Sequence, residues 1–406
     1  MKDPAGATAP AERLEFIDSL RGFALFGVFA ANLLIFSGIL YLTDDQRAAL
    51  FSSFDSLAYD AELLLVENKF MGLFSLLFGI SFWLFLSRAI ARGGSATGLF
   101  YRRIFWLFVI GLAHGGLLWC FDILRFYALW AVCLPLFVGM APRLLLTLAL
   151  ICSVLVPALN AGAIAWFAAP SGSGAEADAM ALSAFATGSY REVLLANWKY
   201  DWHLTYSVSQ IGYQVSVFGR LLLGLFVART FDLGNLENHR VLLRRVLLIG
   251  APIGIIGSIV FAGEFFADVK HNPALAFARR LVVESGFLGM TLSYASGLGL
   301  LFLLPGWRRI IRWLAPVGRM ALTWYLAQTV FGIWMFYGFV HGPALIGKVG
   351  PWALVAVCVG GFLLQVIIAR VWLSRFRFGP AEWLWRILTY WKPQPLALNS
   401  RVEKIA

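Results

Sequence analysis

The chain has 406 residues, of which 60% are hydrophobic, 16% aromatic and only 14% charged. Soluble domains carry about a quarter charged residues, so this composition, with a mean hydropathy of +0.77, excludes both a soluble globular protein and a disordered one. The net charge of +11 is no sign of nucleic-acid binding, because no Lys/Arg block long enough for such a patch occurs.

A membrane helix takes about 20 apolar residues. Apolar runs broken by charge predict ten of them, near 16–40, 62–86, 101–120, 123–140, 143–168, 205–228, 246–266, 281–304, 314–340 and 350–373. Residues 1–15 are polar and acidic, and the run that follows is too long for a signal-peptide core, so it is expected to stay as the first span. With the N-terminus placed in the cytoplasm, about 20 cationic residues fall on the inner side and about seven on the outer. Both termini are then cytoplasmic, which an even number of spans allows. The longest outer connection, 169–204, opens with Pro170-Ser171-Gly172-Ser173-Gly174 and turns aromatic around Trp198-Lys199-Tyr200-Asp201-Trp202. It reads as a loop at headgroup level, or as a lid over an outward-facing cavity.

From Gly379 the tail reads Pro380-Ala381-Glu382-Trp383-Leu384-Trp385-Arg386. A proline at a helix start followed by an aromatic-apolar stretch predicts an interfacial amphipathic helix. The expected fold class is therefore all-α: a polytopic membrane helix bundle over 1–378, about ten transmembrane helices, followed by an interfacial helix and tail over 379–406. Cys120, Cys133, Cys152 and Cys358 lie in apolar runs without metal-ligand spacing and read as buried free thiols. No Walker-type loop, HExxH or Gly-x-Ser-x-Gly elbow occurs.

Ionisable groups in a bilayer core cost about 2.5–3.5 kcal/mol on insertion scales, so each one inside a span is a functional candidate. Asp18 and Arg21 share a helix face in the first span, as an orienting ion pair or a contact to a substrate or headgroup. Asn32 follows, as an interhelical hydrogen bond or a donor to a carbonyl. Lys69 opens the second span and either snorkels outward or turns in to hold an anion. The densest cluster is His114 with Asp122 and Arg125. Its two readings are a satisfied structural histidine beside a helix-capping Asp, and a general base oriented by a carboxylate. Glu264 and Asp268 bracket the outer end of the seventh span as solvated groups. Glu284 follows Arg280 by four residues, as an ion pair or a proton-carrying carboxylate. Arg319 opens the ninth span as a phospholipid contact.

The blocks Ile17-Asp18-Ser19-Leu20-Arg21-Gly22, Lys69 through Gly79, His114 with Asp122-Ile123-Leu124, Gly318 through Thr323, and Gly379 through Arg386 resemble, in order, the YeiB family of bacterial inner-membrane proteins, which carries a C-terminal domain of unknown function. That resemblance implies a multi-pass protein of the bacterial inner membrane and a suggested role in transport. The opening Asp-x-Leu-Arg-Gly and Asn32 also resemble the transmembrane acyltransferase superfamily. There, a cytosolic acyl-coenzyme A delivers its acyl group through the bilayer to an outside lipid or glycan acceptor. The active histidine that follows the asparagine in its lysosomal member has no counterpart in residues 36–50, so His114 would have to act from another helix.

Three functions follow. In an acyltransferase, Arg102, Arg103, Arg244 and Arg245 would meet the donor's phosphates, His114 and Asp122 would catalyse, and Asn32 would bind the acyl carbonyl. Acyl-coenzyme A would be a co-substrate, with no tightly bound cofactor and no metal. A proton-linked transporter would use His114, Asp122, Lys69 and Glu284 as a relay. A non-enzymatic subunit would pack its aromatic exterior on a copy of itself or on a larger membrane complex. The partners expected are membrane lipids and a small-molecule, lipid or glycan acceptor, with no nucleic acid.

Overall fold

The computed structural model describes residues 14–91, 96–167, 174–263 and 272–398. Glu264, Asp268 and the run from Pro170 to Ser173 lie outside the described residues. Among the described residues the chain is all-α apart from one isolated bridge between Phe376 and Ala397. Helix α1 (Glu15–Phe36) is buried on nearly every face, as a central bundle helix must be. Two short helices follow, α2 (Asp44–Leu50) and α3 (Ser53–Leu65), each started by a capping box, Thr43 with Gln46 and Ser52 with Asp55. The predicted second span begins later than expected, as α4 (Lys69–Ala91), because Asn68 turns the chain through a left-handed φ of 62°.

Helix α5 (Ala96–Leu117) is followed by α6 (Leu124–Ala131). The expected span 123–140 is broken after α6, since Pro135 cannot donate and the chain continues as a 3-10 turn, Leu134–Phe137. Helix α7 (Pro142–Leu150) passes through a π-turn, Ile151–Leu155, into α8 (Val156–Phe167). Two features account for the bulge. Pro157 offers no N–H to the turn behind it, and Gly219 packs so close that a Cβ there would lie 2.4 Å from Ser153 N.

The region read as a long outer loop is instead a helical hairpin, α9 (Gly174–Thr187) and α10 (Tyr190–Tyr206), with a capping box between Ser189 and Glu192. Helix α10 supplies side chains to the exposed carbonyls at the end of α5: Trp198 Nε1 donates to Gly116 O (2.8 Å), Tyr190 Oη to Leu117 O (2.8 Å) and Asn197 Nδ2 to Leu118 O (3.3 Å). Phe185 stacks on Tyr337 at 4.8 Å, so the hairpin is folded over the end of the bundle.

Then come α11 (Val208–Thr230), α12 (Arg240–Ala262), α13 (Pro273–Phe302), the short α14 (Pro305–Ile311) and α15 (Ala315–Arg319), α16 (Ala321–Phe336), α17 (Pro351–Leu373) and α18 (Pro380–Tyr390). Among the described residues, seven helical stretches are long and apolar enough to cross a membrane. Three of the ten predicted spans fall outside that set: α5 carries Arg102 and Arg103, the α6 segment is broken, and α16 has 16 residues. The molecule is a multi-pass, all-α helix bundle.

Glycine seams set which helices touch. Along α12 and α13, a Cβ at Gly257 would lie 2.5 Å from Gly286 Cα and 2.7 Å from Val282 O, the close backbone approach that small residues permit between membrane helices. Gly257→Val should therefore cost about 1–3 kcal/mol by overpacking. The check is the fraction of protein still monodisperse after heating in detergent, and an unchanged midpoint would show that the seam gives way without cost.

Candidate functional site

A cavity of about 300 Å³ opens between α1, α4, α5, α16 and α18. Each of the five sequence blocks that carry the resemblance contributes to its wall. Part of the wall is apolar, with Phe74, Leu77, Phe78, Phe82 and Leu107, while Arg21, Arg88, Arg103, Arg319, Arg377 and Arg386 line it with only two carboxylates, Asp18 and Glu382. This composition, both cationic and apolar, suits an amphiphile with an anionic head and an apolar tail.

The arginines are positioned by local packing. Arg21 Nη1 donates to Asp18 Oδ1 at 2.7 Å and Nη2 to Ser81 Oγ at 3.0 Å. Gly22 and Gly318 let α1 and α15 cross backbone to backbone, since a Cβ at Gly318 would lie 1.9 Å from Asp18 O, and this brings Arg21 Nη1 within 3.5 Å of Gly318 O. Arg103 stacks over the Trp385 ring at 3.7 Å, and Trp385 Nε1 donates to Arg103 O at 2.9 Å.

Glu382 closes the α18 side. Its Oε1 accepts from Leu322 N (2.6 Å) and Thr323 N (3.1 Å), and its Oε2 accepts from Thr323 Oγ1 (2.5 Å), so the carboxylate caps the N-terminus of α16 from another helix. Burial pushes this carboxyl up from its ordinary value, and the donors oppose that rise. Gly379 is needed because a Cβ there would sit 2.2 Å from Glu382 Oε2.

Tyr325, one turn into α16, lines the cavity. Beyond it lies a line of buried polar groups. Tyr325 Oη is 3.5 Å from Asp122 Oδ2 and accepts the Ile123 N–H at 3.2 Å. Asp122 Oδ2 is 2.8 Å from His114 Nδ1, and His114 Nε2 is 2.9 Å from Thr329 Oγ1. His114, Asp122 and Thr329 are at most 2% exposed. With Asp122 ionised, Nδ1 carries the proton and Nε2 presents its lone pair to the Thr329 hydroxyl.

The glycines around His114 have a definite purpose. A Cβ at Gly111 would lie 2.5 Å from Arg125 N and 2.9 Å from Asp122 Oδ1, and one at Gly115 would lie 3.2 Å from Asp122 Cβ. They admit the turn that carries Asp122. The carboxylate also caps α6, accepting from Arg125 N at 2.9 Å, the contact that the capping reading expects.

The other predicted residues do not join this line. Arg125 turns to α10, where it forms a two-pronged ion pair with Asp201. Asn32 is buried on α1, is absent from the cavity wall and makes no side-chain hydrogen bond among the described residues. Lys69 turns inward: its ammonium donates to Leu63 O and sits 5.0 Å from the Phe287 ring centroid.

Glu284 pairs with Arg280 at 2.6 Å, as its spacing predicts, and also with Arg220 at 2.9 Å from α11. The expected relay of His114, Asp122, Lys69 and Glu284 thus falls in three places: the His114–Asp122 pair, Lys69 by itself, and Glu284 with its two arginines. Of the four arginines expected at phosphates, Arg103 lines the cavity and Arg102 sits at 4.7 Å from the Trp391 ring centroid, while Arg244 and Arg245 are on α12, away from the cavity wall. Sequence reasoning missed Arg220, Thr329 and Glu382. Arg220 was open to the same rule that singled out Glu284, being a charge inside an apolar run. Thr329 carried no signal, since threonine is ordinary in membrane helices.

Residues 227–392 match the family described as "Protein of unknown function (DUF418)". Over 411 residues the chain is 30% identical to "Uncharacterized protein YxaH" of Bacillus subtilis (strain 168), covering 96% of this chain and 98% of that one. It is 28% identical over 392 residues to the "Uncharacterized 39.9 kDa protein in amylase 3'region" of Bacillus acidopullulyticus, covering 97% and 98%. Against "Uncharacterized protein YeiB" of Escherichia coli (strain K12) the identity is 27% over 409 residues, covering 93% and 96%. No solved structure matches. With 93–97% of its length aligned to these relatives and the family's region spanning its last helices, this multi-pass membrane protein belongs to the YeiB family.

Proposed function

We propose that the protein is a transmembrane acyltransferase of the bacterial inner membrane. The observation that carries this reading is the arginine-lined cavity with apolar wall residues, one of whose lining residues, Tyr325, adjoins the buried His114–Asp122 pair. An acyl-coenzyme A would set its phosphates among Arg21, Arg103 and Arg319, where guanidinium groups bind such oxyanions well. Its acyl chain would run along Phe74 and Phe78. His114 would act as base, oriented by Asp122. Both termini would face the cytoplasm, which puts the arginines on the donor's side, and the acceptor would be a lipid or glycan on the other side. A second reading, proton-linked transport, draws on the buried Arg220–Glu284–Arg280 group in the bundle.

The test is calorimetry of acyl-coenzyme A with the detergent-purified protein, with free coenzyme A alongside. Saturable binding is expected. Arg103→Ala should weaken it by about 1.5–3 kcal/mol, the range for a hydrogen bond to a charged group, whereas His114→Ala should bind normally and transfer nothing. Absence of saturable binding by the wild type would overturn the proposal.

A further inference from the structure

We infer that Thr329 Oγ1 is the atom that takes the acyl group from the donor, with His114 as its base; the inference rests on the acyl-transfer reading above. Both nitrogens of the His114 ring are engaged, Nδ1 by Asp122 Oδ2 at 2.8 Å and Nε2 by Thr329 Oγ1 at 2.9 Å. Asp122 is pinned in turn, because its second oxygen holds Arg125 N at 2.9 Å. The imidazole is therefore fixed with the Nε2 lone pair directed at one hydroxyl. A nitrogen so placed removes that hydroxyl's proton rather than attacking a carbonyl itself. A nucleophile, a base within hydrogen-bond reach and a third group orienting the base are the parts of an activated hydroxyl, whatever their order along the chain.

The hydroxyl has one other contact, a longer one of 3.4 Å to Tyr325 O, so Nε2 is the better acceptor for its proton. Thr329 also lies one helical turn beyond Tyr325 on the same face of α16, and Tyr325 lines the cavity. Complete burial keeps water from an ester formed there.

The step balances without an oxidant or a metal. The Oγ1 proton passes to His114 Nε2 as Oγ1 bonds to the thioester carbonyl carbon. The C–S bond then breaks, and the departing sulfur takes the proton from Nε2 and leaves as the thiol. In the second half the acceptor's hydroxyl gives its proton to Nε2 and attacks the Thr329 ester, and Oγ1 recovers the proton as the acylated acceptor leaves.

The experiment incubates the full-length protein in detergent, without acceptor, with acetyl- or palmitoyl-coenzyme A and separately with p-nitrophenyl acetate. After acid quench, the peptide carrying Thr329 is weighed by mass spectrometry. The expected result is one acyl mass on Thr329, retained in Thr329→Ser and lowered more than a hundredfold in Thr329→Val and His114→Ala. In Thr329→Cys the adduct should become labile to neutral hydroxylamine, a signature that a merely structural threonine would not produce. An acyl mass that persists at the wild-type level in Thr329→Val, or label on His114 instead, would overturn the assignment and leave the acyltransferase reading standing. Label from the nitrophenyl ester but from neither coenzyme A ester would uphold Thr329 as nucleophile and overturn the donor. No label and no turnover with any donor would overturn both.

Discussion

Replacing Asp122 by alanine is expected to have the largest effect of any single change at the site. The side chain is fully buried and accepts from both His114 Nδ1 and Arg125 N. Removing it leaves two buried donors without an acceptor and takes away the cap of α6. Breaking a buried pair of this kind costs about 3–5 kcal/mol. Asp122→Asn separates stability from chemistry. Its amide oxygen can still accept from Arg125 N, but its NH2 can only donate to the imidazole, so the proton moves to Nε2 and the lone pair facing Thr329 is lost. The folded protein should survive, while transfer should fall by about 10⁴-fold, the size of the same change in a Ser–His–Asp triad.

The chain carries its own probe for the stability half. Cys120 and Cys358 are buried free thiols, so a thiol-reactive dye will report unfolding in detergent. A Asp122→Ala protein as stable as the wild type would show that the carboxylate is not the keystone of this turn, and an active Asp122→Asn would remove His114 from the role of base.

The second large effect lies in the other polar cluster. Arg220 and Glu284 have side chains no more than 2% exposed, whereas Arg280 is a third exposed and can reach water. Glu284→Ala should therefore strand the Arg220 charge in the bundle at a cost of about 3–5 kcal/mol. Replacing both partners together, as in Arg220→Met with Glu284→Leu, should recover most of that loss, because two well-packed apolar groups need no pairing. Dye unfolding of the single and double variants makes the comparison. The double variant also separates the two functional readings, since retained acyl-coenzyme A turnover marks the cluster as structural. Lost proton-dependent flux with normal stability would instead give weight to transport.

The residues differ in how far their roles could be read from the chain alone. His114 and Asp122 are eight positions apart, joined by a turn that glycines make room for, so local spacing already pointed to their contact. Glu284 with Arg280 is one helical turn and was legible for the same reason. Thr329 is 215 positions from His114, and Arg220 is 64 from Glu284. Those contacts depend on which helix faces meet, and the meeting is set by backbone crossings. A Cβ at Gly79 would lie 2.0 Å from Leu221 O, and one at Gly224 would lie 2.1 Å from Leu76 O, so the α4–α11 register that buries Arg220 follows from two glycines 145 positions apart.

Helix existence was largely readable, but helix breaks were not. Asn68, Pro135 and Met320 each end a run that hydropathy alone continues. The outer connection 169–204 reads as a loop from its sequence, whereas its described residues from Gly174 on form two short helices, the second with a capping box, that pack over the end of the bundle.

Composition and hydropathy by themselves determined that this is a multi-pass helical membrane protein, because apolar length decides what a bilayer accepts. The same blocks of sequence also carried the family. Only the tertiary structure decided that those blocks surround one cavity, that six arginines line it, and that a threonine completes the line from Asp122 through His114. The physical reason is one of range: hydropathy and helical spacing act within a few turns, whereas a site between helices is fixed by steric fit between residues hundreds of positions apart.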